Sequence, residues 1–160
     1  MQNHMRRDLF VFAIPAFSIF AAGLAICGWD FVRRFQGEWT PSWVAAVGAL
    51  MVVAGLANNI VCQVTMGRSY SSSLVTRKDH QLITRGMYGY IRHPIYLGVI
   101  CVITGIGLFT TSLPGLIVLW GVIPFFLRRI RLEERMLCDE LGPEYETHRE
   151  RTKKLLPFLY

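Results

Sequence analysis

Charge is what this sequence has least of. Only 18% of its 160 residues are Asp, Glu, Lys or Arg, against about 25% in a typical soluble domain. Four stretches carry none at all: Leu9 to Trp29, Trp39 to Gly67, His93 to Thr111 and Ser112 to Leu127. Nucleotide-binding glycine loops are missing too. Neither GxGxxG nor GxxxxGKS/T occurs, which argues against a soluble αβ enzyme built on a phosphate-cradling turn. The cysteines are few and far apart (Cys27, Cys62, Cys101, Cys138), with no CxxC. That spacing suggests neither a zinc site nor a redox pair. The four histidines are scattered as well, so no metal is expected. What abounds is apolar side chain, 52% of the chain, and this excludes intrinsic disorder.

A membrane helix needs roughly 20 apolar residues, with a range of about 17–25. The first two uncharged stretches meet this. The last two form one apolar run from His93 to Leu127, broken by Thr110, Thr111, Ser112, Pro114 and Gly115. That cluster reads as a tight turn between two short helices. An open sheet would strand backbone polar groups in lipid. The expected fold class is therefore all-α and integral to the membrane, with four transmembrane helices, the last two a helical hairpin. The first stretch is too long for a signal-peptide core and no A-x-A-like site ends it, so it reads as a retained helix. Pro15 is expected to kink that helix or mark its start, and Pro124 to bend the fourth. Asn58, Asn59 and Gln63 are amides on an apolar helix and call for interhelical hydrogen bonds.

Charge asymmetry sets the orientation. Of the seventeen Lys and Arg, only Arg33 and Arg34 fall in the first interhelical loop. The other fifteen lie in the N-terminus, the 68–92 loop and the C-terminal tail, which four crossings place on one side. By the positive-inside rule that side is the cytoplasm, so both termini are expected there, in the inner membrane if the source is prokaryotic. The net charge of +6 then reflects topology and contact with anionic lipids. No nucleic-acid partner and no obligate protein partner are expected.

The polar segments carry the chemistry. Pro94 suits the first turn of the third helix, where no N–H is needed. Arg92 and His93 then stand at its N-terminal mouth, whose free N–H groups suit an anionic group. Tyr88, Tyr90 and Tyr96 cluster nearby and, taken singly, read as an aromatic belt at the membrane interface before they read as ligands. Beyond the hairpin, Arg128 to Leu141 alternates charge with Ile130, Met136, Leu137 and Leu141 at helical spacing. It is expected to continue the fourth helix as an amphipathic one, with Arg129 and Glu133 as i, i+4 neighbours. Gly142-Pro143 ends it, and Glu144 to Lys154 forms a second short amphipathic helix.

The order Gly86, Tyr88, Arg92-His93-Pro94, Tyr96, Gly98, then a hairpin, then Glu133-Glu134, Leu137, Gly142, Glu144 and Tyr145 resembles the isoprenylcysteine carboxyl methyltransferase family. The integral-membrane phospholipid methyltransferases share that core. The resemblance covers residues 76 to 158. It implies one membrane domain over residues 1–160, with two N-terminal helices in 1–67 and a methyltransferase core in 68–160. It also implies methyl transfer from S-adenosylmethionine, leaving S-adenosylhomocysteine, to a lipophilic or lipid-linked acceptor that enters from the bilayer. Carried over, the cofactor contacts are His80, Gln81, Leu82, Ile83, Tyr88, His93, Pro94, Ile95, Tyr96 and Glu133. Substrate contacts are Arg92 and Arg129. Arg92, His93 and Glu133 are the catalytic candidates. Met87, His148 and the Lys153-Lys154-Leu155-Leu156-Pro157 ending depart from the family pattern.

The chemistry is coherent with those residue types. Holding donor and acceptor in line contributes on the order of 7–11 kcal/mol. A carboxylate acceptor is already ionised near neutral pH, whereas an amine or thiol needs a base, for which His93 or a tyrosine is placed. Phospholipid or small-molecule N- or S-methylation is thus an alternative within the same fold. A small transporter is a second alternative, though no span contains the Asp or Glu that coupled transport usually uses. A non-catalytic membrane adaptor is the third, and it has no need of the doubled motif.

Overall fold

The computed structural model describes residues 2–37, 42–67 and 82–155, and within 2–12 only the helical backbone. Six helices occur among the described residues: α1 (Gln2–Gln36), α2 (Trp43–Met66), α3 (Pro94–Phe109), α4 (Leu113–Trp120), α5 (Ile123–Leu141) and α6 (Pro143–Arg151). A 3-10 turn, Gly86–Gly89, precedes α3. Three helical stretches are long and apolar enough to cross a membrane: Ala13–Gln36, Trp43–Met66, and Leu113–Leu141 taken across the turn between α4 and α5. The charge-free part of the third ends at Leu127. α3 is equally apolar but shorter, at 16 residues, about 24 Å long against a hydrocarbon core of about 30 Å.

Two compact units make up the chain, Met1–Val53 with Ile100–Leu127 and Ala54–Val99 with Arg128–Tyr160. In the first, α1 packs on α4, and small residues set how closely. A Cβ on Gly23 would stand 2.8 Å from the Leu119 side chain, and one on Gly115 2.4 Å from Cys27 Sγ. α2 and α3 meet backbone to backbone: a Cβ on Gly48 would fall 2.3 Å from Phe109 N, one on Gly105 2.7 Å from Gly48 O. The α3–α4 hairpin closes where Gly107 lies under Leu116. Ser112 caps α4 by accepting from Gly115 N–H (3.1 Å) while donating to Asp30. Arg34 donates to Thr111 at 2.8 Å. The turn expected from Thr110 to Gly115 is therefore a capped helix start.

Of the two prolines, the second behaves differently from expectation. Pro15 lies in the interior of α1 and does not begin it. Pro124 does not merely bend a continuous helix. The chain turns at Gly121–Val122, and Pro124 is the second residue of α5. Proline has no N–H for the Trp120 carbonyl, and its ring crowds the preceding turn. The interruption therefore falls just before it.

In the second unit the core holds Ile91, Ile130, Tyr145, Tyr88, Cys62 and Leu155. Asn58 Nδ2 donates to Pro94 O at 2.7 Å. Asn59 presses on Gly98, where a Cβ would lie 2.1 Å from its Oδ1. Two of the three amides on α2 thus face α3, while Gln63 is exposed.

Candidate active site

The site is built around the start of α3. Pro94 is its first residue, and Leu97 N–H returns to His93 O at 3.4 Å. The residues just before it run beside the tail that follows α6, joined by a parallel bridge between Ile91 and Lys153. Arg92 N–H donates to Lys153 O (2.8 Å), His93 N–H to Lys154 O (3.2 Å) and Lys153 N–H to Tyr90 O (3.0 Å). Two amides that the sequence left open at the mouth are thus taken by the tail. Those of Ile95 and Tyr96, in the first turn, lie too early for an intrahelical acceptor.

α5 supplies the acids. Consecutive helical residues point about 100° apart, and Glu133 and Glu134 accordingly join different groups. Glu133 Oε2 accepts from the Tyr96 hydroxyl at 3.0 Å. Arg129, one turn earlier, also interacts with that hydroxyl. The His93 ring meets Tyr96 edge-on, with centroids 5.8 Å apart. Glu134 turns instead to Arg92 Nε (2.9 Å), Lys154 Nζ (3.3 Å) and His93 Nε2 (3.5 Å). Arg92 Nη1 donates further to the carbonyls of Arg149 (3.0 Å) and Thr152. Burial pulls the Glu134 carboxyl upward, but His93 and Arg92 beside it more than offset this and hold it at about 2. Tyr145 is buried near the same carboxylate, and burial first, then Glu134, pushes its hydroxyl up. His148 is lowered by burial and by the Arg92 charge.

The structure thus gathers His93, Tyr96, Glu133 and Arg129 into one group, with Pro94 and Ile95 in the same helical turn. Arg92 adjoins it, its Nε and Nη1 spent on protein acceptors. Tyr88 is buried in the 3-10 turn, its hydroxyl beside the Cys62 thiol. Leu82 and Ile83 are half-buried ahead of that turn. His80 and Gln81 lie outside the described residues. Glu134 and Tyr145, motif residues to which no contact was assigned, and Lys154 are further participants. The signal available for Glu134 was its place one residue after Glu133, which on a helix means a different face. A separate cleft of about 460 Å³ lies along α5 and α6, where Arg131, Arg135 and Arg149 face Glu134, Asp139 and Glu146. It is charge-balanced and is not lined by His93, Tyr96 or Glu133.

The chain is similar to known proteins in sequence and in fold. The profile of the isoprenylcysteine carboxyl methyltransferase (ICMT) family matches residues 47–139. The match begins in α2, well before residue 76. The protein-S-isoprenylcysteine O-methyltransferase of Saccharomyces cerevisiae is 32% identical over 131 residues, covering 80% of this chain and 55% of that one. Its Schizosaccharomyces pombe counterpart is 33% identical over 121 residues, 72% of this chain and 49% of that one. Among solved structures, the eukaryotic intramembrane Ras methyltransferase ICMT superposes with a TM-score of 0.69 at 21% identity. That superposition covers 95% of this chain and 53% of the other, and it is a likeness of fold. The chain spans about half the length of these relatives.

Proposed function

The chain belongs to the isoprenylcysteine carboxyl methyltransferase family, and from that premise we propose that it is an integral-membrane methyltransferase. Its methyl donor is S-adenosylmethionine, its product S-adenosylhomocysteine, and its acceptor a carboxylate on a lipophilic, prenylcysteine-type molecule. The observation that carries this reading is the meeting of two motifs 37 positions apart, Tyr96 and Glu133, at one hydrogen bond.

The residues present fit such a donor. It brings an electrophilic methyl on a sulfonium, together with an ammonium, a carboxylate and an adenine. Among the described residues, the buried Tyr145 hydroxyl has no hydrogen-bond partner, and His93 Nε2 has the 3.5 Å approach of Glu134 in place of a well-formed hydrogen bond. With the first-turn amides of Ile95 and Tyr96 they are donors suited to a carboxylate. Glu133 is a half-buried acceptor suited to an ammonium or ribose hydroxyls. Leu82, Ile83, Tyr88 and Pro94 offer apolar and aromatic surface for the base, and His80 and Gln81 extend that segment. The Tyr96 hydroxyl fixes the Glu133 carboxylate, and the Tyr96 and Tyr88 rings suit a cation. Arg129 can clamp the acceptor carboxylate with two parallel N–H donors. Arg92, His93 and Glu133 remain the residues on which turnover depends, Arg92 by placing the mouth of α3. No base is required for an ionised carboxylate, so these groups orient and exclude water.

The same reading sets the topology. α1, α2, α3 and α4–α5 make four crossings, with both termini and the site in the cytoplasm, where the basic residues meet anionic lipid. The test is a calorimetric titration of detergent-purified protein with S-adenosylhomocysteine, followed by transfer of labelled methyl to a prenylated cysteine analogue. Binding and a base-labile methyl ester are expected. Absence of heat at millimolar ligand overturns the reading. Label on an amine or thiol alone replaces the acceptor with the N- or S-methylation alternative.

A further inference from the structure

Glu133 and Glu134 adjoin in sequence, yet they keep different company. Both oxygens of Glu134 are engaged inside the protein, Oε1 by Arg92 and His93, Oε2 by Lys154. Its side chain is only 12% exposed. Those three partners belong to the two segments that run side by side, the lead-in to α3 and the tail after α6. Arg92 reaches the tail a second way, through the carbonyls of Arg149 and Thr152.

We propose that Glu134 is a positioning residue, the anchor of a latch that holds tail residues 152–155 across the mouth of α3 and thereby fixes the His93 ring beside Tyr96. The physical reason is charge. Without the carboxylate, Arg92 and Lys154 are two cations sharing one poorly hydrated space, at 9% and 20% exposure. Like charges there repel strongly because little water screens them. Three backbone hydrogen bonds and the Arg92 donations to Arg149 and Thr152 would then hold the tail against that repulsion, and a short pairing of that kind opens more readily than a helix interior. His93 moves with the tail, since its own N–H is bonded to Lys154 O. Glu133 has no such role: its hydrogen bond is to Tyr96 on α3.

The latch itself is independent of the functional reading; only its effect on binding rests on that reading. Amide exchange in the full-length, detergent-solubilised protein tests it. In the wild type, the amides of Arg92, His93 and Lys153 exchange slowly. In Glu134→Gln and in Lys154→Met they exchange more than about tenfold faster, while amides inside α3 are unchanged, and S-adenosylhomocysteine binds about tenfold more weakly. Glu133→Gln weakens binding but leaves the three amides protected. If both Glu134→Gln and Lys154→Met keep those amides protected, the latch is refuted. Weakened binding with protected amides in Glu134→Gln also refutes it, by making Glu134 a direct ligand contact. Should Glu134→Gln not fold, Lys154→Met decides, since that side chain sits at the rim. Failure of the wild type to bind the ligand sinks the functional reading, and the exchange data still decide the latch.

Discussion

A single hydroxyl joins the two motifs of the candidate site. Tyr96→Phe removes the donor to Glu133 and nothing else of its shape. Hydrogen bonds to charged groups contribute about 1.5–3 kcal/mol, so S-adenosylhomocysteine affinity should fall roughly tenfold or more. The thermal midpoint in detergent should move little, because the Tyr96 ring stays packed on His93. Unchanged affinity in a titration would remove Tyr96 from the site. The acid side of the pH profile belongs to two other residues. His148 is held below its usual 6.5 by burial and the Arg92 charge. The unfolded chain therefore takes up that proton first, and stability declines as pH falls below 6.5. Glu134 ionises at about 2 in the fold against 4.5 when unfolded. Its contribution is complete above 4.5 and is lost as pH falls from there through 2. Acid unfolding should therefore begin near pH 6 and steepen below 4.5. In Glu134→Gln the second stage should vanish, a comparison that circular dichroism against pH can make.

Helix contacts depend on missing side chains. At Gly48 an added Cβ meets the Phe109 backbone, which cannot swing aside. Gly48→Ala should therefore cost about 1–3 kcal/mol as an overpacked contact, read as a lowered midpoint of thermal unfolding. At Gly98 the obstacle is the Asn58–Asn59 pair, and Asn58 holds the Pro94 carbonyl. Gly98→Ala should displace that amide, disturb the start of α3 and weaken ligand binding along with stability. Ser112→Ala removes the α4 cap and the Asp30 partner together. A lost cap costs about 1 kcal/mol, and the midpoint should drop accordingly. Gly48 and Ala57 are both small residues on α2, and sequence alone does not say that Gly48 faces α3 while Ala57 is exposed. That choice is made by the rotation of a whole helix, which no local pattern encodes.

At the scale of the molecule, the arrangement of charge against oil is the strongest statement. The four crossings proposed above would place Thr111 and Arg151 on opposite sides of the bilayer. A membrane-impermeant thiol reagent should label Arg151→Cys only in opened vesicles of cytoplasmic interior, and Thr111→Cys in sealed ones, on a background lacking native cysteines. Labelling of Thr111→Cys only in opened vesicles and of Arg151→Cys in sealed ones would reduce the count to three, with α3 failing to span. The sequence by itself determined that the chain is helical and membrane-bound, that α3 begins at Pro94, and that α5 continues as a charged helix. Each follows from composition and short-range spacing, because lipid demands internally bonded backbone and proline fixes a helix start. Only the tertiary structure decided that the tail fills the amides of Arg92 and His93. It alone also decided that Glu134, and not Glu133, gathers the surrounding cations. Those pairings join residues some 40 to 60 positions apart, and only the packed chain brings such distant charges within reach of one another.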